Sequence, residues 1–247
     1  MAEHIETHKE GAVLRVAFAR PEKKNAITGA MYGALVEAFE AYAADDGLRA
    51  LVLHGEGGSF TAGNDLRDFL GAGSFEGDPP AFAFIKAIHA AEKPVIVAVE
   101  GWAVGIGATI LLHADLVFMA RSATLRMPFT ELGVVPEAGA SRLLPRRHGR
   151  QVASELFFLQ GGMSAQRAYE VGLCNAVTDD GGALPRALEA AEQIARLSPD
   201  VVKRTKRLMR EPDDLMAHMT EEVRQFGECL RSDEMQAKLA FMTGAKG

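Results

Sequence analysis

The stretch from Pro94 to Ala114 is almost entirely apolar, and it constrains the fold more than any other part of the sequence. It is long enough to resemble a membrane span, but Glu100 and several glycines interrupt it. Its first part, residues 94–99 (PVIVAV), has the continuous apolar character of a strand covered on both faces. Residues 105–113 have the character of a buried helix. The stretch therefore predicts a layered α/β protein.

The same alternation of strand and helix extends through much of the chain. The predicted strands are residues 13–18 (VLRVAF), 51–53 and 116–120, with an earlier short strand near Ile5 that pairs with the first across Glu10-Gly11. Thr28 is a predicted N-cap of a helix that runs to about Ala44. Strand and helix alternate up to about residue 180, which favours an α/β core with right-handed crossovers.

The pattern changes near residue 184, where helical segments follow one another without strands. Three helical stretches are predicted, at residues 183–197, 199–209 and 213–242. Ser198-Pro199 and Glu211-Pro212 separate them. We therefore expect two parts, an α/β core at residues 1–183 and a helical region at residues 184–247.

Charge and composition exclude several classes of function. The formal net charge is −6, which argues against nucleic acid as a partner because phosphate binding needs a basic surface. The two cysteines, Cys174 and Cys229, suggest neither a zinc site nor a disulfide framework. The first residues are polar and lack the apolar run of a signal peptide. We expect a cytoplasmic protein with no membrane partner and no bound metal.

Two glycine-containing segments each place backbone N–H groups at the predicted start of a helix. They are FTAGND at residues 60–65 and GWAVGIGA at residues 101–108. Gly63 allows another molecule to approach the backbone closely, and the N–H of Asn64 follows it. The second segment offers the N–H groups of residues 105–107. Two such elements that meet would form an oxyanion hole, although the first is also compatible with an ordinary turn before a helix cap.

A carboxylate in the segment from residue 126 to residue 146 is the candidate base. Glu137 follows Pro136 and stands among apolar residues, so partial desolvation would raise its pKa and make it a better base. An exposed glutamate at a helix N-terminus is the alternative interpretation. Glu131 and Asp65 are rival carboxylates, with Asp65 better suited to capping a helix.

Together, the segments FTAGNDL, KPVIVAVEGWAVGIGA and PFTELGVVPEAGASRLLPR resemble the crotonase, or enoyl-CoA hydratase/isomerase, superfamily. The resemblance covers nearly the whole chain, and the segments are most similar to the peroxisomal-type 3-enoyl-CoA isomerase branch. It implies a crotonase-like α/β fold of repeated ββα units with a C-terminal helical region. It also implies that this region, residues 184–247, makes the contacts of a homotrimer or a dimer of trimers.

The resemblance also implies roles for individual residues. Asn64 and Ile106 would donate their backbone N–H groups to the oxyanion of a coenzyme A thioester, which enters as part of the substrate rather than as a cofactor. The residues implied near the coenzyme A are Ala62, Leu66, Lys24 and Asn25, and those implied in the acyl pocket are Trp102, Thr109 and Phe129. For Trp102, simple core packing is the alternative interpretation.

Two departures from the family pattern indicate the subclass. Family hydratases carry glutamates at the positions that Thr109 and Phe129 occupy here, and neither residue can take a proton from water. Glu137 remains, at a place that matches the catalytic glutamate of the isomerases. The sequence therefore predicts isomerisation of a 3-enoyl-CoA by a single glutamate. A hydratase, lyase or hydrolase acting on an unusual acyl-CoA, and a non-catalytic acyl-CoA-binding protein, remain as alternatives.

Overall fold

The computed structural model describes residues 4–65, 79–210 and 214–243. Its strands are β1 (Ile5–Glu10), β2 (Val13–Phe18), β3 (Ala50–Gly55), β4 (Val95–Val99), β5 (Trp102–Val104), β6 (Leu116–Ala120), β7 (Thr124–Arg126), β8 (Met163–Ser164) and β9 (Ala176–Thr178). Within the described ranges, a larger sheet has the order β1-β2-β3-β4-β6-β9 and a smaller one the order β5-β7-β8.

The larger sheet begins with an antiparallel hairpin and continues with parallel strands. Strand β1 pairs with β2 so that Ile5 lies opposite Phe18, which confirms the predicted hairpin at Glu10-Gly11. The neighbours from β2 to β9 are all parallel. Strand β4 is buried along its whole length, as its unbroken apolar sequence predicts for a strand covered on both faces.

Helices follow the strands in a repeated order. The α-helices are α1 (Gly29–Ala44), α2 (Pro80–Ala90), α3 (Ile106–Thr109), α4 (Phe129–Leu132), α5 (Ala140–His148), α6 (Arg150–Phe158), α7 (Ala165–Glu170), α8 (Ala183–Ala195), α9 (Pro199–Met209), α10 (Leu215–Leu230) and α11 (Asp233–Thr243). Strands β4 and β5 precede α3, and β6 and β7 precede α4. This succession of two strands and a helix is the expected ββα repeat.

The local signals at helix α1 act as the sequence predicts. The Thr28 side chain accepts a hydrogen bond from the backbone N–H of Met31, and the helix ends at Ala44. The buried helix expected at residues 105–113 is divided into α3 and a 3₁₀ helix, Ile110–His113. The side chains of both parts are buried, so the segment is part of the core.

Helix α8 packs directly on the larger sheet through a row of alanines. Ala183, Ala187 and Ala191 are completely buried and belong to one apolar cluster with residues of β3, β4 and β6. Small side chains allow a helix to lie close to a sheet, and this contact covers the second face of the parallel strands. Helix α8 therefore belongs to the α/β core rather than to a separate region beginning at residue 184. The helical region proper begins with α9.

None of the helices in the described ranges combines the length and the apolar character needed to cross a membrane.

Candidate active site

The two glycine-containing segments lie side by side. The backbone N–H of Thr61 donates to the carbonyl oxygen of Trp102 across 2.9 Å, and Val104 N–H donates to Thr61 O across 3.0 Å. These bonds form a parallel bridge between Thr61 and Ala103. The sequence could place each segment before a helix, but only the fold brings the two together.

Glycine is required at two points where these segments touch. A Cβ atom on Gly63 would lie 2.7 Å from the carbonyl oxygen of Val104, and one on Gly107 would lie 2.5 Å from Cγ2 of Thr61. Gly63 also has a φ of +89°, which disfavours other residues. Since Asn64 follows Gly63 and Ile106 precedes Gly107, the close approach places the two segments that carry the predicted donors side by side.

The N–H groups of Asn64 and Ile106 are free for a ligand within the part of the chain that the structure describes. The residues beside Asn64 are bonded instead, because Ile27 N–H donates to Gly63 O and Asp65 N–H donates to Ile27 O. Ile106 N–H is free because it opens helix α3 and has no preceding turn to donate to. The N–H of Gly105, which the sequence also offered as a donor, is taken by Arg126 O. Two backbone donors at one point can stabilise an oxyanion.

Side chains from distant elements fix the segment around Asn64. The Tyr32 hydroxyl, on helix α1, donates to Oδ1 of Asn64. The Arg20 guanidinium contacts the Asp65 carboxylate at 2.7 Å, and both side chains are largely buried. Asp65 is therefore committed to an ion pair and is not a free base. Its predicted role as a helix cap depends on residues 66–78, which lie outside the described ranges.

Glu137 is half-buried and contacts the helix that carries Ile106. The hydroxyl of Thr109 lies 3.0 Å from Oε1 of Glu137 and 3.2 Å from the carbonyl oxygen of Ile106. Burial raises the pKa of Glu137 to about 8, the Thr109 hydrogen bond opposes the rise, and the charge of Glu222 adds to it. This agrees with the desolvation expected from its apolar sequence neighbours. A carboxyl group with this pKa exchanges protons readily near neutral pH.

The turn after Glu137 has an unusual backbone conformation that other elements hold in place. Ala138 and Gly139 have φ values of +57° and +73°, and this region is unfavourable for alanine. The carbonyl oxygen of Ala138 accepts from Nε2 of His113 across 2.8 Å. On the other side, Oε2 of Glu222 accepts from the Gly139 N–H across 2.5 Å. The turn that follows Glu137 is therefore held by residues far away in sequence.

Neither His113 nor Glu222 is identified by its sequence neighbours as part of the site. His113 stands within an apolar helix, and nothing in its neighbourhood indicates a partner. Glu222 left a weak signal, because it lies three residues after Met219 and seven after Leu215, on the apolar stripe of its helix. A carboxylate on such a stripe indicates a buried acceptor with specific partners.

The residues predicted to contact coenzyme A have different environments. Lys24 is exposed, and its carbonyl oxygen accepts from the N–H of Ala62 across 2.8 Å, so these two residues are neighbours. Leu66 lies outside the described residues.

The prediction is wrong for the side chain of Asn25. It is completely buried, its oxygen accepts from Arg20 N–H, and its amide donates to the carbonyl oxygens of Glu56 and Ser59. All its hydrogen-bonding groups are therefore engaged within the protein, and it braces the loop instead of contacting a ligand.

The three residues predicted for the acyl pocket differ in how far their side chains are buried. Thr109 is completely buried and contacts the carboxyl group of Glu137, as described above. Phe129 is buried, with its ring centroid 6.5 Å from that of Phe157 and the two ring planes inclined at 62°. Trp102 is 42% exposed, on the face of β5 opposite the buried Ala103, and its place in a pocket remains a prediction.

Of the rival carboxylates, Glu131 is also excluded. It is exposed and forms an ion pair with Arg126 at 2.8 Å. Within residues 4–65, 79–210 and 214–243, no group of three or more His, Cys, Asp or Glu side chains could hold a metal ion. The site thus combines two backbone donors with one partly desolvated carboxyl group. This arrangement can stabilise a negative oxygen while a proton is moved.

The chain is similar to known proteins along most of its length. The family model described as enoyl-CoA hydratase/isomerase matches residues 8–243. The chain is 36% identical to 1,2-epoxyphenylacetyl-CoA isomerase of Escherichia coli over 209 residues, which cover 79% of this chain and 76% of the relative. It is 31% identical to the 2,3-dehydroadipyl-CoA hydratase of the same organism over 211 residues, covering 84% and 82%. A solved enoyl-CoA hydratase/isomerase from Pseudoalteromonas atlantica superposes with a TM-score of 0.93 at 38% identity, covering 99% of this chain and 98% of that one.

Proposed function

The chain belongs to the enoyl-CoA hydratase/isomerase family, and from that premise we propose that it converts a 3-enoyl-CoA thioester to the 2-trans-enoyl-CoA. The observation that carries the proposal is the single carboxyl group at the site. Glu137 contacts Thr109, which belongs to the same short helix as the Ile106 donor. The pKa of Glu137 is raised to about 8. An allylic proton shift needs one base that can also act as an acid, and a group with this pKa can do both.

In the proposed mechanism, the thioester oxygen accepts hydrogen bonds from the N–H groups of Asn64 and Ile106. The Glu137 carboxylate removes a proton from C2, and the electron pair of the C–H bond moves into a dienolate whose negative charge rests on the thioester oxygen. The carboxyl group then returns the proton to C4, and the double bond forms between C2 and C3. No atom or electron is gained or lost, so no redox cofactor is needed. The two N–H groups stabilise the negative oxygen in place of a metal, and coenzyme A is part of the substrate.

Each part of the site has a distinct energetic role in this reaction. A backbone donor to an oxyanion contributes about 3 kcal/mol in the transition state. A positioned general base contributes roughly a hundred- to ten-thousandfold in rate. The raised pKa of Glu137 brings its proton affinity closer to that of the thioester α-carbon, which favours the transfer.

Hydration of a 2-enoyl-CoA is the second candidate function. The relative named as 2,3-dehydroadipyl-CoA hydratase favours it, and the relative named as an epoxyphenylacetyl-CoA isomerase favours isomerisation. The residues favour isomerisation as well. Phe129 offers no polar group, and the Thr109 hydroxyl is bonded to Glu137, so a second acid for water addition is missing from these two positions.

We further propose that Lys24, Ala62 and Leu66 contact the coenzyme A, and that the chain assembles as a homotrimer or a dimer of trimers. Ala62 lies two residues before the Asn64 donor and its N–H donates to the carbonyl oxygen of Lys24, whose side chain suits the phosphates. The assembly is supported by large apolar side chains that α9 and α11 leave exposed, since such groups together mark protein contacts. They are Leu208 (86% exposed), Met209 (71%) and Phe241 (89%).

The decisive experiment is a turnover screen of the purified protein on 3-enoyl-, 2-enoyl- and aryl-CoA esters, with products identified by mass spectrometry. Isomerisation leaves the mass of a 3-enoyl-CoA unchanged and conjugates its double bond, whereas hydration adds the mass of water. Glu137→Gln removes the base, and Glu131→Gln is the matched control on an exposed, ion-paired glutamate.

We expect isomerisation by the native protein and the Glu131→Gln control, and a loss of roughly a hundredfold or more with Glu137→Gln. If 3-enoyl-CoA is unchanged while 2-enoyl-CoA gains water, the hydratase is the correct function. Tight binding of the esters without any turnover would establish a binding protein instead. Full isomerase activity of Glu137→Gln would contradict the proposed mechanism.

A further inference from the structure

Helix α10 places one carboxylate, Glu222, against the turn that carries Glu137. Its side chain is 6% exposed. Oε2 accepts from the N–H of Gly139 across 2.5 Å, and Oε1 accepts from the N–H and the hydroxyl of Ser141, at 3.1 and 2.5 Å. Burial raises the pKa of Glu222, whereas these hydrogen bonds from Ser141 and Gly139 lower it and favour the ionised carboxylate.

These contacts complete the start of helix α5. The N-terminal N–H groups of a helix lack partners within the helix and are usually satisfied by a side chain at the N-cap. The N-cap of α5 is Gly139, which has no side chain, and no side chain of its own segment caps the helix. Glu222 does this from another helix, where its negative charge is also favourable to the helix dipole.

The turn needs such external support because its conformation is unfavourable. Ala138 and Gly139 both adopt positive φ values directly after Glu137. A non-glycine residue in this region persists only where the surroundings hold it. Glu222 holds the turn at Gly139, and His113 holds it at the Ala138 carbonyl.

From this geometry we infer that Glu222 is a positioning residue: it fixes the turn after Glu137 and so aims the carboxyl group at the substrate carbon. The inference rests on the proposed role of Glu137 as the base. It also assigns the helical region a part in the reaction beyond subunit contacts. Glu222 itself does not touch the substrate and acts through the backbone of Gly139 and Ser141.

A second consequence is electrostatic, since a negative charge close to Glu137 favours its protonated form. Glu222 is the charged group that adds to the raised pKa of Glu137. The other ionisable groups packed around the turn are His218 beside Glu222, His113 with His89 and Arg147 behind it, and Arg142, which pairs with Asp214. His113 is neutral near pH 7, because burial lowers its pKa to about 3.

The test compares Glu222→Gln and Glu222→Asp with Glu221→Gln, a substitution of the neighbouring glutamate on the same helix. Glu221 is exposed and pairs with Arg224, so its loss leaves the turn intact. The measurements are kcat, KM and the pH profile of 3-enoyl-CoA isomerisation, with the affinity for a saturated acyl-CoA and a urea unfolding curve as measures of folding.

We expect Glu222→Gln to lower kcat roughly ten- to a hundredfold, because an ångström of displacement at a base has effects of that size. KM and the acyl-CoA affinity should stay within about twofold of the native values, and the pH midpoint should fall because a negative charge is lost. Glu222→Asp keeps the charge but is shorter, so kcat should fall while the midpoint stays. Glu221→Gln should match the native protein.

An unchanged kcat and pH midpoint in a folded Glu222→Gln would overturn the inference. The proposed function would survive that result, provided that Glu137→Gln remains inactive. If Glu222→Gln does not fold, Ser141→Ala gives the same test. It removes one of the three donors that hold the Glu222 carboxylate, and an unchanged kcat there would overturn the inference as well.

Discussion

Thr109 donates a hydrogen bond from its hydroxyl to the carboxyl group of Glu137 across 3.0 Å. This bond favours the ionised carboxylate and opposes the effect of burial, which raises the pKa to about 8. In the proposed mechanism only the ionised form is a base, so kcat/KM should rise with pH through a midpoint near 8.

Thr109→Val keeps the shape and removes the hydroxyl, and should move the midpoint to higher pH. A shift of one unit would lower the rate at pH 7 about tenfold. The pH profile of Thr178→Val, a change on a distant strand, is the control. An unchanged midpoint in Thr109→Val would contradict the assignment of the pH profile to Glu137.

The raised pKa of Glu137 should also cost stability at alkaline pH. The folded pKa of about 8 lies above the ordinary value of 4.5, so the folded state holds the proton more tightly between these values. The stability that this proton supplies is complete below pH 4.5 and is lost as pH rises through 8. Glu137→Gln has no such titration. In urea curves, the excess of its free energy of unfolding over that of the native protein should grow by about 1.4 kcal/mol per pH unit between pH 4.5 and 8, reach about 5 kcal/mol at pH 9, and vanish below pH 4.5. A difference that does not change with pH would be evidence against the shifted pKa.

The hydroxyl of Tyr32 should support the oxyanion donor through the Asn64 side chain. Tyr32→Phe removes this hydrogen bond and leaves the ring packed beside Phe84. The backbone N–H of Asn64 would be held less firmly, so we expect kcat to fall by several-fold, up to about tenfold. Tyr169→Phe is the matched control, since that side chain is half exposed. Equal kcat values for the two variants would show that the hydroxyl does not support the donor.

Gly63 should tolerate no side chain. A Cβ atom there would lie 2.7 Å from the Val104 carbonyl oxygen, and a φ of +89° is strained for alanine. Gly63→Ala should separate the two donor segments and lower kcat/KM by roughly a hundredfold or more. Gly33→Ala is the control, because an added Cβ on this exposed helical glycine meets nothing within 4 Å. That change should keep the activity and raise the free energy of unfolding by about 0.5–1 kcal/mol. Near-native activity of Gly63→Ala would exclude the proposed oxyanion hole.

His113 should make the fold sensitive to acid. Its Nε2 donates to Ala138 O, and burial lowers its pKa from 6.5 to about 3. Because the folded pKa lies below the unfolded one, the stability is complete above pH 6.5 and is lost as pH falls from 6.5 to 3. The slope from this group is about 1.4 kcal/mol per pH unit. His113→Gln retains a donor and does not titrate, so urea curves from pH 7 to 4 should show a shallower loss. An identical slope would assign the acid sensitivity to other groups.

The positions of strands β1, β2, β3, β4 and β6 and of the two donor segments could be predicted from the sequence because they depend on local patterns. The apolar run before Gly101 indicates a covered strand, whereas the contacts that require glycine at residues 63 and 107 arise only in the fold. Glu137 could be identified as a partly desolvated carboxyl group from its apolar neighbours. The hairpin at Glu10-Gly11 has an equally local cause.

The partners of these groups could not be predicted, because they come from distant parts of the chain. Tyr32, His113 and Glu222 each meet the site through tertiary packing, which no local pattern encodes. The misplaced role of Asn25 has the same cause. A polar residue in a loop suggests contact with a ligand. In the fold, however, the side-chain amide of Asn25 donates to the carbonyl oxygens of Glu56 and Ser59. The predicted boundary at residue 184 differs from the structure because the alanines of α8 pack on the larger sheet. The sequence of the helix alone does not show that contact.

The bond between Gly139 and Glu222 also sets an order of events during synthesis. The two residues are 83 positions apart, and a ribosome adds about 5–20 residues per second, so the carboxylate follows its partner by roughly 4 to 17 seconds. During that interval the nascent chain can already contain both oxyanion donors, but the turn that aims Glu137 lacks its second support. On the proposed mechanism, a newly made chain therefore carries the N–H groups proposed to bind the thioester before the turn after Glu137 has its second support.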